Sequence, residues 1–291
     1  MRGSVKATPP AFDPMKTSLL GPAGTFTEDA LREASAGEAM ELLRTPTVHD
    51  AILAVERGEA ERAFVPFENS IEGSVRSTLD TLAFDTEAVT IVGEHDFAVH
   101  AHLIAREGVE LEQVAAVLSH PQPLAQCARF LREQLPGVER RSVSSTAEAV
   151  RMVGESVRPW AAIGARAAAD LYGCTVLREG IEDEADNVTR FVWIAPKGTE
   201  SSGAGPSRTS LVFSELGEDH PGALVEALQE FSSREINLSR IESRPLRRGL
   251  GRYMFFCDLE GALSDPAVAE AIASLRSKAE SVRILGSYPL G

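Results

Sequence analysis

Residues 197–207 read KGTESSGAGPS, and this stretch constrains the fold of the 291-residue chain more than any other. Glycine, serine and proline erase both the period of a helix and the alternation of a strand, which leaves a flexible linker. The chain is therefore expected to fold as two units, residues 17–196 and 208–291, behind a disordered N-terminal arm over residues 1–16. That division agrees with the roughly 100–200 residues typical of one domain. The arm contains prolines and lacks the apolar core of a secretory signal.

Within 17–196, short apolar runs alternate with helical patterns. Thr17 to Leu20, Ala63 to Pro66, Val89 to Val92, Val114 to Leu118, Trp160 to Ile163 and Phe191 to Ile194 read as strands. Helical patterns start at about Thr25, run from Pro123 to Leu135 and from Thr146 to Val153, and recur near Ala165 to Leu171. This alternation predicts an α/β unit with a largely parallel sheet. Residues 89–105, VTIVGEHDFAVHAHLIA, are long and strand-like, as expected of a chain that crosses to a second lobe near 93–105 and returns near 178–190. A cleft would lie between the lobes.

In 208–291, TSLVFSEL, LSRIESRPL, RYMFFCDLEG and SVRILGSYPL read as strands. Leu224, Ala227, Leu228 and Phe231 form one helical stripe, and Val268, Ile272, Leu275 and Ala279 form another. The order βαββαβ is the ferredoxin-like plan.

A formal charge of −14, from 29 basic against 43 acidic residues, sets long-range repulsion against nucleic acid and anionic membrane surfaces. No apolar run approaches the roughly 20 residues of a membrane span, so neither nucleic acid nor membrane is an expected partner. Cys127, Cys174 and Cys257 are odd in number and far apart, which disfavours a disulfide framework and points to a reducing, cytoplasmic setting. No cluster implies a metal or an organic cofactor. His100 and His102 lack a third ligand and are expected to face solvent.

Four stretches carry candidate chemistry. In LLGPAGTFTEDAL, residues 19–31, a glycine turn precedes a helix start where Thr25 and Glu28 have capping-box spacing; free amides near Gly24 would accept an anion, or the turn is simply capped. VPFENSIEGSV, residues 65–75, places Glu68, Asn69 and Ser70 at a strand end, where ligands bind in open α/β sheets and where Asn and Ser also serve local turns. SHPQPLAQC, residues 119–127, repeats the arrangement with Ser119, His120 and Gln126; His120 is either an acid–base group or a turn residue before proline. EDEADNVTRFVWI, residues 182–194, sets Thr189 and Arg190 at the entrance of an apolar strand. A guanidinium offers a planar fork suited to a carboxylate, and threonine a short hydroxyl. Residues of these types at a strand entrance need no function, so pattern alone leaves both readings open.

Together GPAGTFTEDAL, VPFENSIEGSV, SHPQPLAQC and DNVTRFVWI resemble the prephenate dehydratase family. HPGALVEAL with INLSRIESRP resembles the ACT regulatory domain fused to that enzyme in phenylalanine biosynthesis, and the match runs in family order from about residue 17 to residue 289. The resemblance implies a two-lobed fold like periplasmic binding proteins, with the active site in the cleft. It implies a carbon–oxygen lyase that takes water and CO2 from prephenate to give phenylpyruvate under feedback by L-phenylalanine. Thr189 would be essential for dehydration; Asn69, Ser119, Gln126 and Glu68 would serve binding or turnover, with Glu68 or His120 the proton donor behind Thr189. Substrate contacts are expected of Arg190, Phe191, Gly24, Thr25, Ser70 and His120. Phenylalanine would contact Gly222, Ala223, Leu224 and Val225 together with Glu242, Ser243, Arg244 and Pro245, with Asn237 and Leu238 nearby. The ACT domains would pair in a homodimer or homotetramer. Arogenate dehydratase and a non-catalytic amino-acid sensor on the same fold are the alternatives.

Overall fold

The computed structural model describes residues 15–36, 38–201, 203, 205–216 and 221–291. Residues 1–14 of the expected arm, residues 202 and 204 of the linker and His220 of the HPGALVEAL stretch lie outside the described residues, and Met15 and Lys16 already belong to the first strand.

The first lobe comprises β1 (Met15–Leu20), α1 (Phe26–Ala34), β2 (Met40–Thr45), α2 (Val48–Glu56), β3 (Arg62–Asn69), a short β4 (Gly73–Ser74) and α3 (Arg76–Asp80). From it β5 (Val89–Ala98) leads to the second lobe: β6 (His102–Arg106), β7 (Ala116–Ser119), α4 (Pro121–Gln126), α5 (Ala128–Gln134), β8 (Glu139–Ser142), α6 (Thr146–Glu155), β9 (Trp160–Gly164), α7 (Arg166–Leu171) and β10 (Cys174–Arg178). β11 (Val188–Pro196) returns to the first lobe.

β1 lies parallel between β2 and β3, whereas β11 runs antiparallel to both β3 and β5. The sheet is mixed rather than largely parallel because β5 leaves for the second lobe and β11 comes back beside it. The second sheet has the order β10-β6-β9-β7-β8 and is parallel only where β7 meets β8 and β9.

The C-terminal unit follows the expected order: β12 (Ser207–Ser214), α8 (Ala223–Ser232), β13 (Leu238–Pro245), β14 (Tyr253–Glu260), α9 (Pro266–Leu275) and β15 (Ser281–Pro289). Its sheet continues into the first lobe, where β15 runs parallel beside β5 with Gly286 opposite Ile91. A Cβ on Gly286 would lie 2.2 Å from the Ile91 carbonyl oxygen, so this approach requires glycine. The sheet is also apolar on both faces. Leu211, Phe213, Cys257 and Leu259 pack with Ala227, Phe231, Ile272 and Leu275 of α8 and α9. On the other face Val212, Met254, Phe256, Leu285 and Tyr288 join Phe67, Leu79, Leu82 and Ile91 of the first lobe in one core. Burying side chains of this size contributes about 1.5–3 kcal/mol each, so the two units are held by a shared core and not by the linker.

Candidate active site

The turns that follow β1 and β3 each reach the second lobe. Gln126 Nε2 donates to Glu72 Oε1 at 3.4 Å, and Tyr172 Oη donates to the Ala23 carbonyl at 3.4 Å. Gly24, at φ +80°, lets this turn close on α7, since a Cβ there would stand 3.0 Å from the Ala168 Cα. The turns after β1 and β3 thus both contact the second lobe.

Asn69 ends β3 and stands opposite Thr189 in the β3–β11 register. Its Oδ1 accepts the amides of Ile71 and Glu72 at 3.0 and 2.9 Å, as the carbonyl of a tight turn would. That fixes the amide orientation. Its Nδ2 donates to Thr189 Oγ1 at 2.9 Å, to Asn187 Oδ1 at 2.7 Å and to the Val188 carbonyl at 3.3 Å. Thr189 Oγ1 is therefore an acceptor toward Asn69, and its own proton is left to donate elsewhere. Ser70 anchors the same segment: its Oγ accepts the Val188 amide and donates to the Asp186 carbonyl, each at 3.0 Å.

Asn187 is 4% exposed and belongs to this network, yet the sequence reading passed over it. Its partner lies 118 residues away, so only the strand register reveals the pair.

In the second lobe, Ser119 is fully buried and donates to the Ile163 carbonyl at 2.7 Å, so its proton is committed. His120 caps α4, with Nδ1 accepting the Gln122 amide at 3.4 Å. At the α1 turn, the Gly24 amide donates to Glu28 Oε2 at 2.8 Å while Arg44 holds Oε1 at 2.6 Å. Burial raises the Glu28 carboxyl, but Arg44 and the Gly24 amide outweigh it and bring its pKa below the usual range. The capping-box expectation is half right: Glu28 reaches back, but to Gly24, and Thr25 Oγ1 makes only a 3.5 Å contact with the Leu20 carbonyl. The amide proposed for a substrate anion is already taken.

Two expected substrate groups point elsewhere. Successive strand residues face opposite sides, so Arg190 and Glu68 turn away from Thr189 and Asn69. Arg190 Nη2 donates to Asp258 Oδ2 of β14 at 2.6 Å and to Glu68 Oε2 at 2.8 Å. Burial works against the charge on Arg190, but Asp258, Tyr288 and Glu68 more than offset it and raise its pKa. Arg190 is therefore corrected from a substrate contact to the link between β11 and the C-terminal sheet, and Glu68 from a cleft group to its partner. Phe191 is likewise a core residue, 2% exposed and stacked on Phe64 with ring centroids 4.9 Å apart.

In the C-terminal unit β13 alternates by face. Arg240, Glu242 and Arg244 are the more buried residues, and Ser239, Ile241 and Ser243 are exposed. Arg244 reaches the first lobe, giving Asp80 contacts of 2.8–3.2 Å from Nε and Nη2. It thereby links β13 to the first lobe. Asn237 Nδ2 donates to Glu260 Oε1 at 2.7 Å. Of the paired histidines, His100 is exposed beside Glu182 as expected, whereas His102 is only 8% exposed. Among the described residues no group of three or more His, Cys, Asp or Glu side chains is placed to hold a metal ion, and no helix is long and apolar enough to cross a membrane.

Fold and site define a two-lobed cleft protein with a ferredoxin-like unit docked on its first lobe. Residues 17–199 match the family model for prephenate dehydratase, and residues 215–277 match that for the ACT domain. A prephenate dehydratase of Mycobacterium marinum is 40% identical over 287 residues, covering 95% of this chain and 89% of its own. The prephenate dehydratase of Arthrobacter aurescens, solved in complex with L-Phe, superposes with a TM-score of 0.85 at 40% identity, covering 94% of this chain and 89% of that one. This chain belongs to the prephenate dehydratase family. A structure described as GqqA, a novel type of quorum quenching acylase, also superposes, with a TM-score of 0.84 at 31% identity over 95% of this chain and 98% of that one. Since one scaffold carries two named activities, the reaction has to be argued from the site.

Proposed function

We propose that this chain converts prephenate to phenylpyruvate and that L-phenylalanine regulates it through the C-terminal unit. Prephenate is a dianion with a ring carboxylate and, on the opposite ring carbon, a hydroxyl. The electron pair of the breaking carbon–carboxylate bond enters the ring as the carbon–oxygen bond to the hydroxyl breaks. The dianion plus one proton yields phenylpyruvate, CO2 and water. Aromatisation supplies the drive, so the protein's task is to neutralise the departing oxygen.

The observation that carries this reading is the Asn69 to Thr189 hydrogen bond, which leaves the Thr189 proton free to donate to that oxygen. A positioned donor contributes about 10²–10⁴-fold. Threonine is a weak acid, so the proton is relayed from water or from His120 of the second lobe; Glu68 faces the other way, toward Arg190.

L-phenylalanine is placed at the outer edge of the C-terminal sheet, among Gly222, Val225, Ile241 and Ser243. β13 ends the ten-strand sheet, and Val225 and Ile241 are 66% and 48% exposed. Pairing of two copies along this edge would cover both side chains and enclose an aromatic amino acid, which makes a homodimer the minimal regulated unit. A cytoplasmic site in phenylalanine biosynthesis belongs to the same proposal.

The test is phenylpyruvate formation from prephenate by the purified chain, with and without L-phenylalanine. Turnover suppressed by phenylalanine supports both halves. Turnover of arogenate, or acylase activity, without any on prephenate would refute the assignment.

A further inference from the structure

Arg240 is buried, and none of its three guanidinium nitrogens has a hydrogen-bond partner among the described residues. Its nearest acids stop short of bonding: Glu68 Oε1 and Asp258 Oδ2 at 3.9 Å and Glu242 Oε2 at 4.0 Å. Buried donors are almost always satisfied, so a guanidinium held in this way calls for an explanation. Glu68 and Asp258 are already held by a second arginine. Arg190 Nη2 lies 2.8 Å from Glu68 Oε2 and 2.6 Å from Asp258 Oδ2. The two guanidinium carbons stand 5.0 and 4.8 Å from the centroid of the same Phe67 ring. Arg190 and Arg240 therefore share one aromatic ring and contend for the same two carboxylates.

The contest has a direction because of where each residue sits in the chain. Arg240 lies on β13, the strand that carries Glu242, Ser243, Arg244 and Pro245. Arg190 and Glu68 are the chain neighbours of Thr189 and Asn69. A displacement of about 1 Å is enough to turn a 3.9 Å contact into a hydrogen bond.

We infer that Arg240 is a switch residue: effector occupancy at the C-terminal unit shifts β13, Arg240 takes Glu68 or Asp258 from Arg190, and the loosened β11–β3 junction withdraws Thr189 from Asn69. The inference rests on the reading of L-phenylalanine as the effector. The fork of Arg190 then reports the state of the regulatory sheet to the cleft one residue away.

The full chain carrying Arg240→Leu is compared with the parent for phenylpyruvate formation and, separately, for binding of labelled L-phenylalanine by equilibrium dialysis. The expected variant turns over prephenate and still binds phenylalanine, while its inhibition constant rises at least about fivefold, the low end of common allosteric coupling. Parental inhibition overturns the inference. Should the leucine variant fail to fold, Arg240→Lys decides, because an ammonium keeps the charge but lacks the fork that bridges two acids. Weakened inhibition with retained binding supports the switch there too, and parental inhibition overturns it. A parent chain that binds no phenylalanine in dialysis overturns the effector reading itself, an outcome the binding arm separates from failure of the switch.

Discussion

Asp258 Oδ2 lies 2.6 Å from Arg190 Nη2, which ties the C-terminal sheet to the residue beside Thr189. β11 turns Thr189 to one face and Arg190 to the other, toward the C-terminal unit, and β3 does the same with Asn69 and Glu68. A polar pair on one face of two strands is thus backed, residue for residue, by a charged pair on the other.

Asn69→Asp reverses the polarity of the Thr189 contact. A carboxylate only accepts, so the Thr189 hydroxyl would turn inward and give it the proton meant for the leaving oxygen. kcat is expected to fall by about 10²–10⁴-fold, and the urea midpoint to fall with it, because the carboxylate also loses the donor that Asn69 gives to Asn187 and the Val188 carbonyl. A parental kcat would show that the direction of this hydrogen bond is irrelevant.

Asp80→Asn weakens the second link between the units. Asp80 accepts from Arg244 at 2.8 Å and from Arg247 at 2.7 Å, and it and Arg244 are mostly shielded from solvent. Hydrogen bonds to charged groups contribute about 1.5–3 kcal/mol, so a loss of that order is expected in denaturant titration. An unchanged midpoint would mean that the Asp80 contacts do not help hold the units together.

The apolar runs of β1, β3, β5, β7, β9 and β11 were legible in the sequence, as were both helical stripes of the C-terminal unit. β2, β8 and β10 were not. All three end a sheet, and their residues MELLRT, ERRS and CTVLR are mostly half-exposed or exposed, so no apolar run or clean alternation marks them. In the candidate site, position at strand ends made Thr189, Asn69 and Ser70 candidates and the family resemblance singled them out, whereas the face on which Arg190 lies depends on β14 packing behind it. Asn187 failed for a similar reason: nothing local distinguishes a buried asparagine at the end of an acidic run from a solvated one.

His102 should make stability depend on pH. Burial first, then Arg166, lowers the pKa of its imidazole, and Nδ1 accepts the Gly180 amide only when unprotonated. A folded pKa below the unfolded value of about 6.5 gives a contribution that is full above that value and is lost as pH falls through the folded one. Between about pH 7.5 and 5.5 the urea midpoint should fall further for the parent than for His102→Gln. Equal falls would contradict a buried neutral imidazole.

The most direct test of the Thr189 assignment is phenylpyruvate formation at saturating prephenate by the parent and by Thr189→Val, which keeps the shape and removes the hydroxyl. With the fold intact, kcat is expected to drop by about 10²–10⁴-fold while KM stays near the parental value. A valine variant turning over at the parental rate would show that the Thr189 hydroxyl does not assist the departing oxygen.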